Sequence, residues 1–423
     1  MGKYIPEHAN IAVVGLGYVG LPLALAFARQ FPVIGFDTSE NRIQALAAGN
    51  DRTGEVTAAD LEGSSLRYHA DAAAIAGQDV YIITVPTPVD AANKPDLTAL
   101  LAACELVGRA MVSGAVVVIE STVYPGVTQE ICGPALACAS GLKAGQDFYL
   151  GYSPERINPG DGAHGLTAIT KVVAGDRPEL TTELAAMYGG ITASGVFAAA
   201  DIETAEAAKV IENAQRDINI AFINEIALIC EKLDLSAHQV LAAAGSKWNF
   251  LPFKPGLVGG HCIGVDPFYL AHRAMEVGHQ PEMILAGRKI NDAMGRRLAE
   301  LVCDRLPAAA RVLVLGLTFK ENVRDLRNSK VADLVAGMAD LGLRVDVYDP
   351  NADADQARQM YDVDLLNDLS VVGRYDAILP AVPHREFLDL EVTGLLADFA
   401  LIADIKGIWQ HRQWPDNVRY WLL

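Results

Sequence analysis

Short runs of consecutive apolar residues alternate with stretches whose apolar positions recur every three or four residues. The runs at 10–14, 32–36, 79–85 and 115–120 predict strands, and the helical spacing at 21–29, 41–48, 97–111 and 128–139 predicts the helices between them. Continuously apolar strands separated by helices indicate a parallel sheet buried on both faces. Further β signals follow at 148–152, 171–174 and 195–199. From Asp201 to Leu233 there is no Gly or Pro, which predicts a helix of about 33 residues, roughly 50 Å long. Such a helix can join two domains or pair with a second copy. Helical signals continue to about 306, interrupted by the Gly/Pro-rich stretch 250–267, and strand–helix alternation resumes at 311–315, 344–348, 376–382 and 401–405. The expected fold class is α/β: two Rossmann-like doubly wound parallel-sheet domains joined by a long central helix. The domain boundaries are 1–200, 201–305 and 306–423.

Composition removes several function classes. The chain has 423 residues, with 34 Lys and Arg against 52 Asp and Glu, a net charge of −18. A polyanion is a poor partner for a nucleic-acid backbone or an anionic membrane. A small anionic ligand stays open, because clustered backbone N–H groups outweigh global charge locally. No apolar run approaches the ~18–20 residues needed to span a bilayer, and the start lacks a signal-peptide or myristoylation pattern. The cysteines at 104, 132, 138, 230, 262 and 303 show no CxxC pair and no metal-ligand spacing. They read as reduced thiols in a cytoplasmic protein without a bound metal.

The first chemical motif is Gly15-Leu16-Gly17-Tyr18-Val19-Gly20, a GxGxxG directly after a strand and opening a helix. Gly15 permits the tight turn, Gly17 removes the Cβ that would hold a pyrophosphate off the backbone, and Gly20 lets helix and strand approach. The helix N-terminus presents N–H groups to phosphates. Asp37 ends the second strand, 22 residues after Gly15, where a carboxylate grips a ribose diol and repels a 2′-phosphate, so NAD is favoured over NADP. Arg42 either flanks the adenine or is a solvated helix charge.

The second motif, Lys254-Pro255-Gly256-Leu257-Val258-Gly259-Gly260-His261-Cys262-Ile263-Gly264-Val265-Asp266-Pro267, surrounds one cysteine with glycine. Glycines there allow close approach of substrate and backbone. If a helix starts near Gly264, its dipole favours the Cys262 thiolate, with Asp266 on the same side; a small buried loop Cys is the plain alternative. His261, adjacent to Cys262, is spaced poorly for a catalytic pair and reads as structural. Lys209 and Asn213, four apart on the long helix, share a face; they either stabilise an oxyanion or are ordinary solvated polar residues. Glu155 follows a strand end, where open α/β sheets bind ligands, although loop carboxylates are often simply solvated.

Together these segments resemble the UDP-glucose/GDP-mannose dehydrogenase family nearly end to end. The resemblance rests on Gly15–Gly20, Val85-Pro86-Thr87-Pro88, Glu120-Ser121-Thr122-Val123-Tyr124-Pro125-Gly126, Ser153-Pro154-Glu155, Lys209 with Asn213, 259–266, Leu317-Thr318-Phe319-Lys320 and Arg324-Asp325-Leu326-Arg327. The wording at 152–161 (YSPERINPGD), 212–219 (ENAQRDIN) and 246–253 (SKWNFLPF) is similar to the UDP-N-acetylhexosamine 6-dehydrogenases of the Vi-antigen and O-antigen type.

The resemblance implies an NAD-dependent, four-electron oxidation of the sugar C6 hydroxymethyl to a carboxylate, for bacterial surface polysaccharide. Cys262 would carry the thiohemiacetal and thioester. Lys209 and Asn213 would stabilise the oxyanion, Glu155 would assist hydrolysis, and Asp266 and Thr122 would hold the water and the lysine. Cofactor contacts would come from Gly15, Gly17, Tyr18, Val19, Gly20, Asp37, Arg42, Pro86, Thr87, Thr122 and, across domains, Arg327. Substrate contacts would come from Glu155, Arg156, Lys209, Asn213, Lys254, Gly256, Gly259 and Lys320. It also implies a first domain that binds NAD, a central region that carries the cysteine loop and dimerises, a last domain that binds the UDP-sugar, and a homodimer. UDP-glucose members usually carry a second glutamate four residues after the one matching Glu155; here that position is Pro159, which speaks for a pocket shaped for something other than plain glucose. The competing readings are a UDP-glucose 6-dehydrogenase and, from another class, a non-catalytic NAD-binding or redox-sensing protein.

Overall fold

The computed structural model describes residues 2–156, 168–370 and 373–423; Pro159 lies outside the described residues. The chain divides into two compact units, Met1–Glu212 with Phe268–Gln280, and Asn213–Pro267 with Pro281–Leu423.

The first unit runs β1 (Ile11–Val14), α1 (Gly20–Phe27), β2 (Val33–Phe36), α2 (Glu40–Ala47), α3 (Ala58–Glu62), β3 (Arg67–His69), β4 (Val80–Ile83), α4 (Thr98–Ala110), β5 (Val116–Ile119), α5 (Gly133–Ser140), β6 (Tyr149–Tyr152), β7 (Lys171–Gly175), α6 (Pro178–Gly189) and β8 (Val196–Ala198). Among the described residues these strands form one sheet in the order β3-β2-β1-β4-β5-β6-β7-β8. Every residue of β1, β2, β4 and β5 is buried, as expected of apolar strands covered on both faces. Leu21 and Phe27 of α1 and Leu180, Leu184 and Tyr188 of α6 pack against Val13, Ile82 and Val118. Each large side chain so buried contributes ~1.5–3 kcal/mol.

The long helix α7 (Ile202–Lys232) has 31 residues and carries the chain from the first unit into the second. Then come α8 (Ala237–Gly245), α9 (Asp266–Glu276), α10 (Glu282–Cys303), β9 (Arg311–Leu315), α11 (Lys330–Asp340), β10 (Arg344–Tyr348), α12 (Ala354–Tyr361), β11 (Tyr375–Pro380), α13 (Arg385–Leu388), β12 (Leu396–Asp404) and β13 (Arg419–Leu422). The second unit's sheet has the order β10-β9-β11-β12-β13, with every pair parallel. One face packs Met294, Leu298 and Val302 of α10 and Leu334 of α11 against Val312 and Val314. The other face buries Phe387 and Trp409 against Leu313 and Leu315.

Two features depart from the pattern-based expectation. The β6–β7 pair is antiparallel, with Gly151 opposite Gly175; apolar composition marks a strand but carries no direction. The helix expected at 128–139 begins as a wide π-turn over Val127–Cys132 and becomes α-helical only in α5. Glu206 of α7 caps this segment: its carboxylate accepts the Gly126 and Thr128 N–H groups at 2.6 and 2.9 Å. Among the described residues no helix is long and apolar enough to cross a membrane.

Candidate active site

Gly15 takes φ +97, a left-handed value that suits glycine, and its N–H donates to the Phe36 carbonyl at 2.8 Å. A Cβ on Gly20 would overlap the Gly15 carbonyl oxygen, so the third glycine is required for packing. Gly17 is the opposite case. It is exposed, and a Cβ there would meet nothing within 4 Å, so the backbone is open where an anion must approach. Val19 precedes the first turn of α1 and is buried; Tyr18 is half-buried. Asp37 accepts the Leu16 N–H with one oxygen and the Ser39 N–H with the other, both at 2.9 Å. The solvated alternative for Arg42 does not hold: its side chain is 11% exposed, Nε donates to the Leu16 carbonyl at 2.9 Å, and Nη2 meets Asp51 at 2.8 Å. The buried Arg42 Nη1 has no hydrogen-bond partner among the described residues. An open glycine, a carboxylate on the loop and an unsatisfied buried guanidinium nitrogen fit a dinucleotide, whose polar groups supply the missing partner.

The loops after β4 and β5 are tied together. Thr87 Oγ1 donates to the Thr122 carbonyl at 2.7 Å, and Ser121 Oγ to the Val85 carbonyl at 2.6 Å. Pro86 is exposed and Thr122 half-buried. Past β6, Glu155 is 7% exposed and accepts the Arg156 N–H at 2.6 Å, so it is not a solvated loop carboxylate. The Arg156 guanidinium bonds Glu212 of α7 and the Thr170 carbonyl. Lys209 of α7 is 7% exposed, which removes the solvated-face alternative.

Sequence reasoning passed over two charged residues in this unit. Lys171 opens β7 with its Nζ 3.1 and 3.0 Å from the two Glu120 oxygens and 3.2 Å from the Pro154 carbonyl, all buried. Burial pushes the Glu120 carboxyl well above the usual range; Lys171 pulls it back and Glu155 adds to the rise. A charged residue at each border of an otherwise apolar strand was the available signal.

In the second unit, Cys262 is half-buried in the turn before α9, and its carbonyl accepts the Val265 and Asp266 N–H groups at 3.0 and 2.9 Å. The helix starts at Asp266, two residues later than Gly264, and Asp266 accepts from Asn213 Nδ2 at 2.6 Å with both side chains buried. The flanking glycines also meet a need within the chain itself. A Cβ on Gly259 would lie 2.5 Å from the Asn328 carbonyl, one on Gly260 2.6 Å from the Phe319 ring, and one on Gly264 2.8 Å from Asn328 Nδ2. The close approach is to the chain's own 317–329 segment. Asn328, itself at φ +51, completes the clasp by donating to the Gly260 carbonyl at 3.0 Å, and sequence reasoning missed it. His261 is structural, set edge-on to Phe319 and 3.5 Å from Asp325. Arg327 lies exposed and bonds both Asp325 oxygens.

Lys254 is exposed and Lys320 half-buried. Gly256 is held by a reciprocal pair of bonds to buried Asn224, at 2.7 and 3.0 Å, and leaves no room for a Cβ because Lys406 Nζ fills that place. Lys406 was also missed. Burial lowers its pKa, and Lys254 lowers it further while Glu321 opposes.

Models of three successive domains match the chain, all described for the UDP-glucose/GDP-mannose dehydrogenase family: the NAD binding domain at 9–191, the central domain at 203–293 and the UDP binding domain at 313–411. The chain is 50% identical to Protein CapL of Staphylococcus aureus, over 98% of this chain and 100% of that one. It is 49% identical to a UDP-N-acetyl-D-glucosamine 6-dehydrogenase of Pseudomonas aeruginosa, over 91% and 92%. Among solved structures, a UDP-D-ManNAc dehydrogenase of Pyrococcus horikoshii superposes with a TM-score of 0.86 at 29% identity, covering 97% of this chain and 98% of that one.

Proposed function

The chain belongs to the UDP-glucose/GDP-mannose dehydrogenase family, and from that premise we propose how its residues divide the work of its reaction. The protein is an NAD-dependent dehydrogenase that oxidises the C6 hydroxymethyl of a UDP-N-acetylhexosamine to the carboxylate, in a route to surface polysaccharide. UDP-GlcNAc is the favoured sugar, as in the name of the Pseudomonas aeruginosa relative.

NAD⁺, when bound, accepts a hydride from the sugar C6 in each of two oxidations. Gly15, Gly17, Tyr18, Val19, Gly20, Asp37, Arg42, Pro86, Thr87, Thr122 and Arg327 hold it. In the first oxidation the C6 hydroxyl gives up its proton to water as the hydride leaves, and C6 becomes an aldehyde. The Cys262 thiolate adds to that carbon, forming a C–S bond, while Lys209 and Asn213 stabilise the oxygen that gains charge. After the second hydride has left C6, the carbon is a thioester on Cys262. Glu155 takes one proton from the attacking water, the C–S bond breaks, and the sulfur leaves as thiolate beside a carboxylic acid, which loses its remaining proton to solvent. Arg156, Lys254, Gly256, Gly259 and Lys320 hold the nucleotide sugar, and Asp266 and Thr122 position the water and the lysine.

The Cys262 turn is the observation that supports this assignment best. Its carbonyl caps the first turn of α9, so the thiol-bearing residue stands one turn from the buried Asp266–Asn213 pair. The Cys262→Ser variant is expected to bind NAD⁺ as the wild type does and to form no acid; normal carboxylate production would remove the covalent step. A rate comparison of UDP-GlcNAc, UDP-GalNAc and UDP-glucose tests the sugar, and a clear win for UDP-glucose defeats the N-acetyl assignment. We place residues 1–200 as the NAD-binding domain, 201–305 as the central region and 306–423 as the UDP-sugar domain. The enzyme works as a cytoplasmic homodimer; the exposed apolar residues Phe222 and Ile229 of α7 support the pairing.

A further inference from the structure

The Glu120–Lys171 pair does more than hold the fold together. An ammonium has three protons to donate, and Lys171 directs all three inward: two to the Glu120 carboxylate and one to the Pro154 carbonyl. The side chains are 0% and 2% exposed. A buried ion pair is seldom the most stable way to fill such a space, since apolar residues of similar volume do as well or better. Its position suggests another use. Glu120 follows β5 and stands two residues before Thr122; Pro154 follows β6 and immediately precedes Glu155. Lys171 therefore bridges the two strand ends that carry these residues.

We propose that Lys171 and Glu120 are positioning residues for the hydrolytic half of the reaction. Lys171 fixes the 154–155 peptide and so the Glu155 carboxylate, and it neutralises Glu120 so that Glu155 faces no uncompensated buried charge. This rests on the assignment of Glu155 as the base of thioester hydrolysis. The other titratable groups around this corner are Tyr188 of α6, whose ring lies 5.3 Å from Lys171 Nζ, and the Arg156–Glu212 ion pair.

The two partners make opposite predictions, which a purely structural role does not. Lys171→Met takes the ammonium away from the 154–155 peptide and moves the pH profile of kcat to the alkaline side. Glu120→Gln leaves the ammonium in excess and moves the profile to the acid side. Both slow hydrolysis by ~10-fold or more, because a displaced base is a poor one. In Lys171→Met the sugar acyl group should then accumulate on the enzyme, visible by intact-protein mass spectrometry during turnover. Lys171→Arg should restore part of the rate. Profiles that shift in the same direction or stay put, or undiminished kcat in both variants, would overturn the proposal. If Lys171→Met does not fold by thermal melt, the acid-side shift of Glu120→Gln decides. Wild-type enzyme yielding a single NADH per sugar would instead defeat the covalent assignment itself, so the two failures are separate.

Discussion

The Asp37 carboxylate uses one oxygen on the Leu16 N–H of the glycine loop and the other on the Ser39 N–H that opens α2. Spacing from Gly15 was enough to expect this residue at a ribose; it could not show that the same carboxylate shapes the loop. Arg42 was ambiguous for a similar reason. Its identity and helical position suit either water or a ligand, and only its contacts with Leu16 and Asp51 show that it is not a solvated charge. Glu120 and Lys171 each showed only as a charge at the border of an apolar strand, and the 51 positions between them hid that they pair. At this scale we expect Asp37→Ala to weaken NAD⁺ binding about ten- to hundredfold, the loss of a charged hydrogen bond worth ~1.5–3 kcal/mol, and to relax discrimination against NADP⁺. A fluorescence titration measures both, and unchanged NAD⁺ affinity would mean that Asp37 is not the ribose ligand.

Elements with strong periodicity were read well. β9 and β10 occupy the expected residues, and α7 spans Ile202–Lys232 against an expected 201–233. The strands that escaped, β3 and β13, lie at sheet edges and carry Arg67, His69 and Arg419, so no apolar run announces them. Within α7, Glu206 gives a testable consequence. Burial outweighs its two backbone N–H bonds and raises its pKa from 4.5 to about 7. A carboxyl that holds its proton more tightly when folded stabilises the fold most at low pH, and that contribution falls as pH rises from about 4.5 through about 7. Denaturant unfolding between pH 5 and pH 7.5 should show wild-type stability declining, with a part of order 3 kcal/mol due to Glu206. Glu206→Gln should flatten the slope without abolishing it, because Glu120 shifts in the same direction. An equal slope in the variant would contradict the assignment.

The whole molecule repeats one device with two outcomes. After β9, Gly316 takes φ +95 and donates to the Tyr348 carbonyl, and Asp349 accepts the Leu317 N–H at 2.6 Å, matching Gly15, Phe36, Asp37 and Leu16. Asp349, however, is also bonded by Thr318, Asn351, Ala352 and His384 and has no exposed carboxylate left for a ribose. No residue string showed this repeat, because the second loop lacks the GxGxxG wording. The surface carries the other molecular-scale signal. Phe222 and Ile229, seven apart on α7, and Leu233 just past its end are 54%, 47% and 62% exposed, and Trp248 is 92% exposed. Light scattering should give twice the chain mass of 45.1 kDa for the wild type and the single-chain mass for Phe222→Glu. A wild-type monomer would defeat the homodimer.

The central claim is that one thiol keeps the sugar on the enzyme between two oxidations. Incubation of the wild-type enzyme with excess NAD⁺ and a limiting amount of UDP-GlcNAc tests it, with NADH counted by absorbance against sugar consumed. Two NADH per sugar, with the uronic acid as product, is the predicted result; one NADH per sugar, with free aldehyde released, would contradict it.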